Sequence, residues 1–534
     1  MRILLAGHNI DIELLRHLKT QILEPVASGW EENRLDAMSE AELRAQAAEL
    51  QRRTAEFLGR DNLTPESISA AYARISRDPR ALDELRAVAR DEVEKARKSN
   101  QTIIFEYGHS SVAEHACFNI DVMEVSRYAV EEIEKFRLLA YTEKSQRYIL
   151  LEDDFVIPRE IEEAGLAPRF AETIKAQNAC YHRLYEKLRP WVFDRNPDLA
   201  ASKKNHKTLE GWAKEDARYI VSLATETQVG MTLSARSVEH VVSRCASHPL
   251  AEVREYGRRL FEAMEGVAPS LVKYVHPTPY NRLARAELRE AAEEALVRLR
   301  DLPPAGPLAE EGEVALVDAT PEADALIAAA LLHSGSRRPM GECLAAARAM
   351  GDEERRRFMA STFRHMKSFD PVLREFENAR CVFEITLSAA CFGQIKRHRM
   401  STLNVQPYDP ALGVTVPVSI VQAGAEGEFR AAVEETDAVF FAIADKAPLA
   451  APYVLTNAHR RRVLFTSNVR ELCHVSRLRE DPHAQWDIRD KAAKMLRLAR
   501  RVMPGALQLA VGKHQFAQAW EQLFPGEAER AAKP

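Results

Sequence analysis

What this 534-residue chain lacks narrows its class before any motif is read. No stretch approaches the roughly 20 consecutive apolar residues that a membrane-spanning helix needs. The opening text MRILLAGHNID is interrupted by Gly7, His8 and Asp11, so it does not read as a secretory signal, and the protein is expected to stay in the cytoplasm. Cysteine is sparse and odd in number, seven in all, without paired CxxC spacing. Reduced thiols are expected, with neither a disulfide framework nor a metal site. A formal net charge of −5 provides no general basic surface, so nucleic acid is not an expected partner. There is no GxGxxG after a strand and no GxxxxGK[ST], which removes the Rossmann and P-loop ways of holding a nucleotide. What is present is ordinary for a folded protein: 46% hydrophobic and 29% charged residues. The length exceeds what one hydrophobic core usually supports, so at least two domains are expected.

Internal repetition supplies them. VSRYAVEEIEKFRLLAYTEKSQRY (Val125 to Tyr148) aligns without a gap on LSAACFGQIKRHRMSTLNVQPYDP (Leu387 to Pro410), placing Ser126 on Ser388 and Arg137 on Arg399. Ala217 to Tyr256 aligns with Ala451 to Asp490 if one residue is inserted near Leu478, and Tyr107 to Phe118 aligns loosely with His365 to Ala379. MRILLAGHNIDIELL and GEVALVDATPEADAL each read as a short strand, a turn and a helix. Segments recurring in one order indicate tandem duplication rather than a solenoid. The boundary falls in DLPPAGPLAEEGE, where prolines, glycines and acids interrupt helix-like text. The first repeat therefore spans 1–300, the linker 301–313 and the second repeat 314–534. Residues from about 30 to 98 read as an added helical segment, rich in Ala, Glu, Arg and Leu, with no obvious counterpart in the second copy.

The two copies of the aligned block differ in a complementary way. The late copy carries Gln394, Arg397, His398, Arg399 and Asn404 where the early one has Glu132, Lys135, Phe136, Arg137 and Thr142. The early copy carries Glu143, Ser145 and Arg147 where the late one has Val405, Pro407 and Asp409. Planar arginine forks suit phosphate oxygens, so these residue types fit a site holding phosphorylated ligands.

The motifs resemble the flavin-dependent thymidylate synthases. RHRMSTLN matches the family's Arg-His-Arg half, and Glu143, Ser145, Arg147 and Tyr148 match its Glu-x-Ser-x-Arg-Tyr half. GHSSVAEH (Gly108 to His115) looks like the family's GHxSxxEH segment. Ala217-Arg218 looks like its Ala-Arg pair, and Asn468 to Arg489 like its C-terminal helix and HAQxEIR tail.

The resemblance implies an α+β protein, two tandem copies of the flavin-dependent thymidylate synthase fold, each a sheet covered by helices. It implies reductive methylation of deoxyuridine monophosphate to thymidine monophosphate with FAD, a reduced nicotinamide cofactor (NADPH) and methylenetetrahydrofolate. Arg479 and Arg218 take the catalytic positions. Gln394, Arg397, Glu143, Ser145 and Arg147 take the nucleotide, and His109, Ser111, His398, Arg399, Asn404 and Asn468 take the flavin. Ser234 stands where Asn468 does in the first copy. Family sites lie between subunits, so the halves are expected to build one composite site between the repeats. A reciprocal position made of Lys135, Phe136, Val405, Pro407 and Asp409 is expected to be dead or repurposed. A homodimer is expected to reproduce the family's tetramer. The alternatives are a flavin-dependent transferase on another pyrimidine nucleotide, or a non-catalytic nucleotide-binding scaffold.

Blander readings exist for several of these residues. Ser110 or Ser111 could simply cap a helix, and His483 and Gln485 could pack and cap the C-terminal one. Cys473 and His474, adjacent on a helix, diverge by about 100° and do not form a nucleophile–base pair. Nor is there the Pro-Cys-His of the cysteine-dependent thymidylate synthases.

Overall fold

A computed structural model of the chain describes residues 1–24, 38–58, 63–302 and 306–527. Residues 303–305 of the linker reading, and 30–37 and 59–62 of the helical segment, lie outside them. The chain divides into two compact units. One takes Met1–Ala129, Leu138–Lys144 and Glu226–Val297; the other takes Val130–Arg137, Ser145–Thr225 and Arg298–Pro534. The second unit thus contains two internal stretches and the last three residues of the first repeat, together with the whole of the second.

The first unit carries an antiparallel sheet of β1 (Arg2–His8), β2 (Cys117–Ser126), β3 (Ala140–Glu143) and β4 (Glu226–Ser234), in the order β1-β2-β4-β3. Phe118, Ile120 and Val122 alternate with exposed Asn119 and Asp121, the period of two that buries one face of a strand. Between β1 and β2 run the helices Glu40–Leu58, Glu66–Arg74, Leu82–Asp91 and Val93–Gln101, as the helix-rich text predicts.

The second unit carries β5 (Ala309–Glu311), β6 (Val314–Ala319), β7 (Arg380–Ser388), β8 (Thr402–Val405) and β9 (Arg460–Asn468), in the order β5-β6-β7-β9-β8. Leaving β5 aside, the order repeats that of the first sheet. Three helices, Ala323–Ser334, Met340–Ala349 and Asp352–Ala360, lie between β6 and β7. The second copy therefore has helices in the same place, in a text too diverged for sequence alignment to detect. Phe383 and Phe465 face each other in register on β7 and β9, both fully buried.

The duplication extends to single hydrogen bonds. Ser126 caps the helix Arg127–Ile133 by accepting from the Ala129 amide and donates to Glu252 at 2.6 Å. Its counterpart Ser388 accepts from the Cys391 amide and donates to Asp487, also at 2.6 Å.

Within the second unit, equivalent segments of the two copies meet. Ser222 bridges Thr456, its own counterpart in the alignment. The Leu223 amide donates to the Leu455 carbonyl at 2.8 Å, and the Asn457 amide donates to the Val221 carbonyl at 2.9 Å. Such reciprocity is the mark of a two-fold, isologous contact. Around it Leu184, Leu188 and Tyr219 share one core with Ile420, Phe429 and Ala458, and burying each large apolar side chain contributes about 1.5–3 kcal/mol.

On the same pseudo-axis Glu134 pairs with Lys396 at 2.9 Å, and both are almost fully buried. These positions are also equivalent, so in a true homodimer each would meet its own like charge. Two copies that have diverged within one chain can place opposite charges there. No described helix is long and apolar enough to cross a membrane.

Candidate functional site

In the second unit, Ser145 and Arg147 follow β3. The Ser145 hydroxyl accepts from the Arg147 amide at 3.1 Å, fixing a tight turn. The Arg147 guanidinium lies 5.5 Å over the Tyr148 ring, donates through Nε to Glu215, and reaches the His483 carbonyl at 3.3 Å through Nη2. Glu215 and Arg218 sit three residues apart, at the end of the helix His206–Ala217 and in the 3₁₀ turn that precedes β4. Arg218 is 4% exposed; its Nε donates to the Glu215 carbonyl at 3.3 Å, and its buried Nη2 meets no partner. Burial lowers its pKa, with Glu215 opposing the shift. Arginine nevertheless remains cationic at neutral pH. A buried guanidinium nitrogen without an acceptor is costly, which makes Nη2 a candidate donor to an anionic ligand.

Gln394, Arg397 and His398 close the helix Ala389–Ile395 and its following turn. Arg479, the last residue of the helix Val469–Arg479, lies across them. Its Nη1 donates to the Gln394 side-chain oxygen at 3.3 Å and its Nη2 to the Gln394 carbonyl at 3.0 Å. Its Nε donates to His398 Nε2 at 2.9 Å. Every one of these acceptors is uncharged. Burial pushes the Arg479 pKa down to about 10, reinforced by the charges of Arg397 and then Arg147. Arginines of both copies therefore lie within one another's field, and the arrangement suits a polyanionic ligand. Arg397 is exposed and donates to the Gly393 carbonyl at 3.2 Å. Arg399 is half-buried, and Asn404 is exposed on β8.

His398 is 3% exposed, with its Nδ1 3.0 Å from Glu471 and its Nε2 on Arg479, so both ring nitrogens are bonded within the protein. The Asn468 side-chain oxygen accepts from the Glu471 amide at 2.8 Å and caps its helix. Ser234, its counterpart in the first unit, caps the helix Ala235–Cys245 in the same way. Also in the first unit, Glu143 is buried against Arg127. His109 and Ser111 are exposed there, with Arg77 Nη2 3.4 Å from His109 Nε2. Neither Ser110 nor Ser111 caps the 3₁₀ turn Ser110–His115: its N-cap position is His109, with no side-chain bond, and the Ser110 and Val112 amides donate instead to the Gly108 and His109 carbonyls at 2.9 and 3.2 Å.

The tail motif serves mainly to lock the copies together. Gln485 caps the last long helix, Trp486–Val502, and donates to the Tyr219 hydroxyl at 2.8 Å. Tyr219 donates to Asp487 at 3.1 Å and stacks on Trp486. The Trp486 indole N–H donates to Asp216 at 2.7 Å. His483, by contrast, is not packed: its side chain is almost fully exposed and only its carbonyl meets Arg147. Cys473 is buried, and burial pushes its thiol up to about 12, which suits a structural residue. All seven cysteines are free. Among the described residues no group of His, Cys, Asp and Glu could hold a metal ion.

Burial also pushes the Asp216 carboxyl up to about 6, against the bonds from Ser419 and Trp486 that lower it. Because the indole reports directly on that carboxylate, Trp486 fluorescence is expected to titrate with a midpoint near 6, and Asp216→Asn should flatten the curve. An emission independent of pH, or a titration that survives the substitution, would sink this.

Two acids were missed from the sequence. Glu215 stands three residues before Arg218 in EDAR, and that proximity was the signal. Glu471 is the third residue after Asn468, the position of the acid in a capping box, and a box acid would turn back to the cap amide. It turns instead to His398.

The model of the family described as thymidylate synthase complementing protein matches residues 60–270 and again 315–505. A UPF0159 protein of Thermoplasma acidophilum is 25% identical over 479 residues, covering 81% of this chain and 93% of its own. A UPF0159 protein of Chlamydia muridarum is 25% identical over 76% of this chain and 78% of its own. A flavin-dependent thymidylate synthase of Clostridium tetani is 27% identical over 220 residues, covering 41% of this chain and 84% of its own, about the length of one copy. The chain belongs to the thymidylate synthase complementing family, the flavin-dependent thymidylate synthases, and matches it once in each of its two repeats.

Proposed function

We propose that the chain methylates deoxyuridine monophosphate to thymidine monophosphate at one composite site per chain. Ser145, Arg147 and Arg218 come from the first copy, and Gln394, Arg397 and Arg479 from the second. One observation carries this reading: Arg479 is bonded only to uncharged acceptors and lies in the field of Arg397 and Arg147, while Arg218 Nη2 is buried without a partner. Arg147 and Arg397 grip the phosphate, and the Ser145 turn holds Arg147 in place. Arg479 faces the pyrimidine oxygens, where it stabilises the charge that develops as C5 becomes nucleophilic. Arg218 supplies a second buried donor. No cysteine takes part, in keeping with a pKa of about 12 for Cys473 and a thiol in Cys391 raised well above its ordinary range by burial.

Flavin contacts are assigned to Arg399 and Asn404 in the second unit and to His109 and Ser111 in the first. In the second unit, a half-buried arginine and an exposed amide are donors of the kind a pyrophosphate accepts from; in the first, the exposed His109 lies beside Arg77. When bound, FAD supplies the electrons that reduce the one-carbon unit delivered by methylenetetrahydrofolate, and NADPH restores them. Glu143, expected on the nucleotide, is buried against Arg127 in the first unit. The chain acts as a homodimer in this reading.

The test is tritium release from deoxyuridine monophosphate labelled at C5, measured together with thymidylate formed, in the presence of FAD, NADPH and methylenetetrahydrofolate. Release with thymidylate is the expected result. Bound flavin without release would shift the reading to another pyrimidine nucleotide, and no flavin binding at all would leave a nucleotide-binding scaffold.

A further inference from the structure

We infer that His398 is a positioning residue that holds Arg479 toward the nucleotide, with Glu471 fixing its tautomer, and that it does not bind the flavin. The inference rests on the reading of Arg479 as a nucleotide contact.

The geometry leaves one assignment of protons. A guanidinium only donates, so Arg479 Nε–H at 2.9 Å requires a bare, accepting Nε2 on His398. The ring's single proton is then on Nδ1, where it donates to Glu471 Oε1 at 3.0 Å. The ring is 3% exposed, and neither nitrogen is left to face a cofactor. Orientation of an imidazole by an acid behind it is the usual way such a ring is held to one tautomer. Glu471 is free for this because Asn468 alone caps the helix.

Charge around the ring comes from two elements. Glu471, His474 and Arg479 lie on the helix Val469–Arg479, with the His474 ring 5.9 Å away, and Arg397 lies on the turn of His398 itself. Burial is the largest influence on His398 and lowers its pKa, which keeps the ring neutral at pH 7. Protonation would place an N–H against the Arg479 N–H and two like charges in contact. Nucleotide affinity should therefore fall on the acid side of the ordinary histidine range, while a flavin contact elsewhere would not.

Two variants separate the ring's ends. The His398→Gln amide reaches the place of Nε2 and can still accept from Arg479. The His398→Asn amide occupies the place of Nδ1 and cannot. Dissociation constants for deoxyuridine monophosphate and for FAD, measured separately on the whole chain, should split. His398→Asn is expected to weaken the nucleotide about 10-fold or more, the usual loss for a hydrogen bond to a charged group, with His398→Gln close to wild type and FAD affinity unchanged in both. Weakened FAD with unchanged nucleotide affinity overturns the inference, as does equal loss in the two variants. If His398→Asn fails to fold, His398→Gln decides: weakened FAD with unchanged nucleotide affinity overturns it. A wild-type chain that binds no deoxyuridine monophosphate removes the proposed function as well, whereas binding without the split removes only the role of His398.

Discussion

Arg147→Ala is expected to weaken deoxyuridine monophosphate binding by about 30-fold or more, since truncating a charged partner in a desolvated phosphate contact costs about 2–5 kcal/mol. Arg397→Ala, in the other copy and more exposed, is expected to weaken binding by a smaller factor. Equilibrium dialysis on both variants, with the double variant completing a cycle, checks whether the two serve one ligand. Residues gripping one phosphate couple, so the double variant should lose clearly less or more than the sum of the singles. Unchanged affinity in either single variant defeats the composite site, and strict additivity argues for two separate ligands. One confounding effect can be removed. Arg147 holds Glu215, which is buried, and Arg147→Ala would leave that carboxylate without its cation. In Arg147→Ala/Glu215→Gln the stranded charge is gone; if binding remains lost while the thermal midpoint recovers, the loss belongs to the ligand contact.

Lys396→Glu is expected to destabilise the second unit strongly. Glu134 and Lys396 are buried to within 7% and 4% of full burial at 2.9 Å. Removing one partner of a buried pair costs about 3–5 kcal/mol, and reversal adds repulsion between two carboxylates in a poorly solvated place. The swapped chain, Glu134→Lys/Lys396→Glu, restores opposite charges and should recover most of the loss. Hydrogen exchange of β7 and β9 is the readout, because a chain of two units need not unfold in one step. A swap no better than the single reversal would show that the pair is not the determinant. The result bears on descent as well as on stability. In a homodimer of single copies these two positions coincide by symmetry, so the pair could arise only once the halves were free to diverge. Complementary loss of Arg147's counterpart (Asp409) and Arg218's counterpart (Pro452) follows the same logic.

The assay of tritium release discriminates among readings that the family alone leaves open. Two relatives that align along most of this chain carry names without an activity, and the relative named for thymidylate synthesis spans one copy.

By itself the sequence determined the duplication, the α+β character, the helices before Cys117 and the strand–turn–helix openings of both copies. These are short-range properties: a period of two for Phe118, Ile120 and Val122, Ala- and Leu-rich helical text, and residues recurring at fixed spacing. It also determined which arginines to watch, because complementary substitutions are visible without coordinates. Only the tertiary structure decided how those residues are used. Asn468 and His398 carry the family's flavin positions, yet the first has its oxygen on a helix cap and the second lies between Glu471 and Arg479. His398 and Glu471 are 73 residues apart, and Arg147 and His483 are 336 apart. Hydrogen bonds across such separations depend on how strands and helices pack, and no periodicity encodes them. The same holds for Glu134 and Lys396, whose opposition exists only because the two copies meet along a two-fold contact that neither copy's sequence contains.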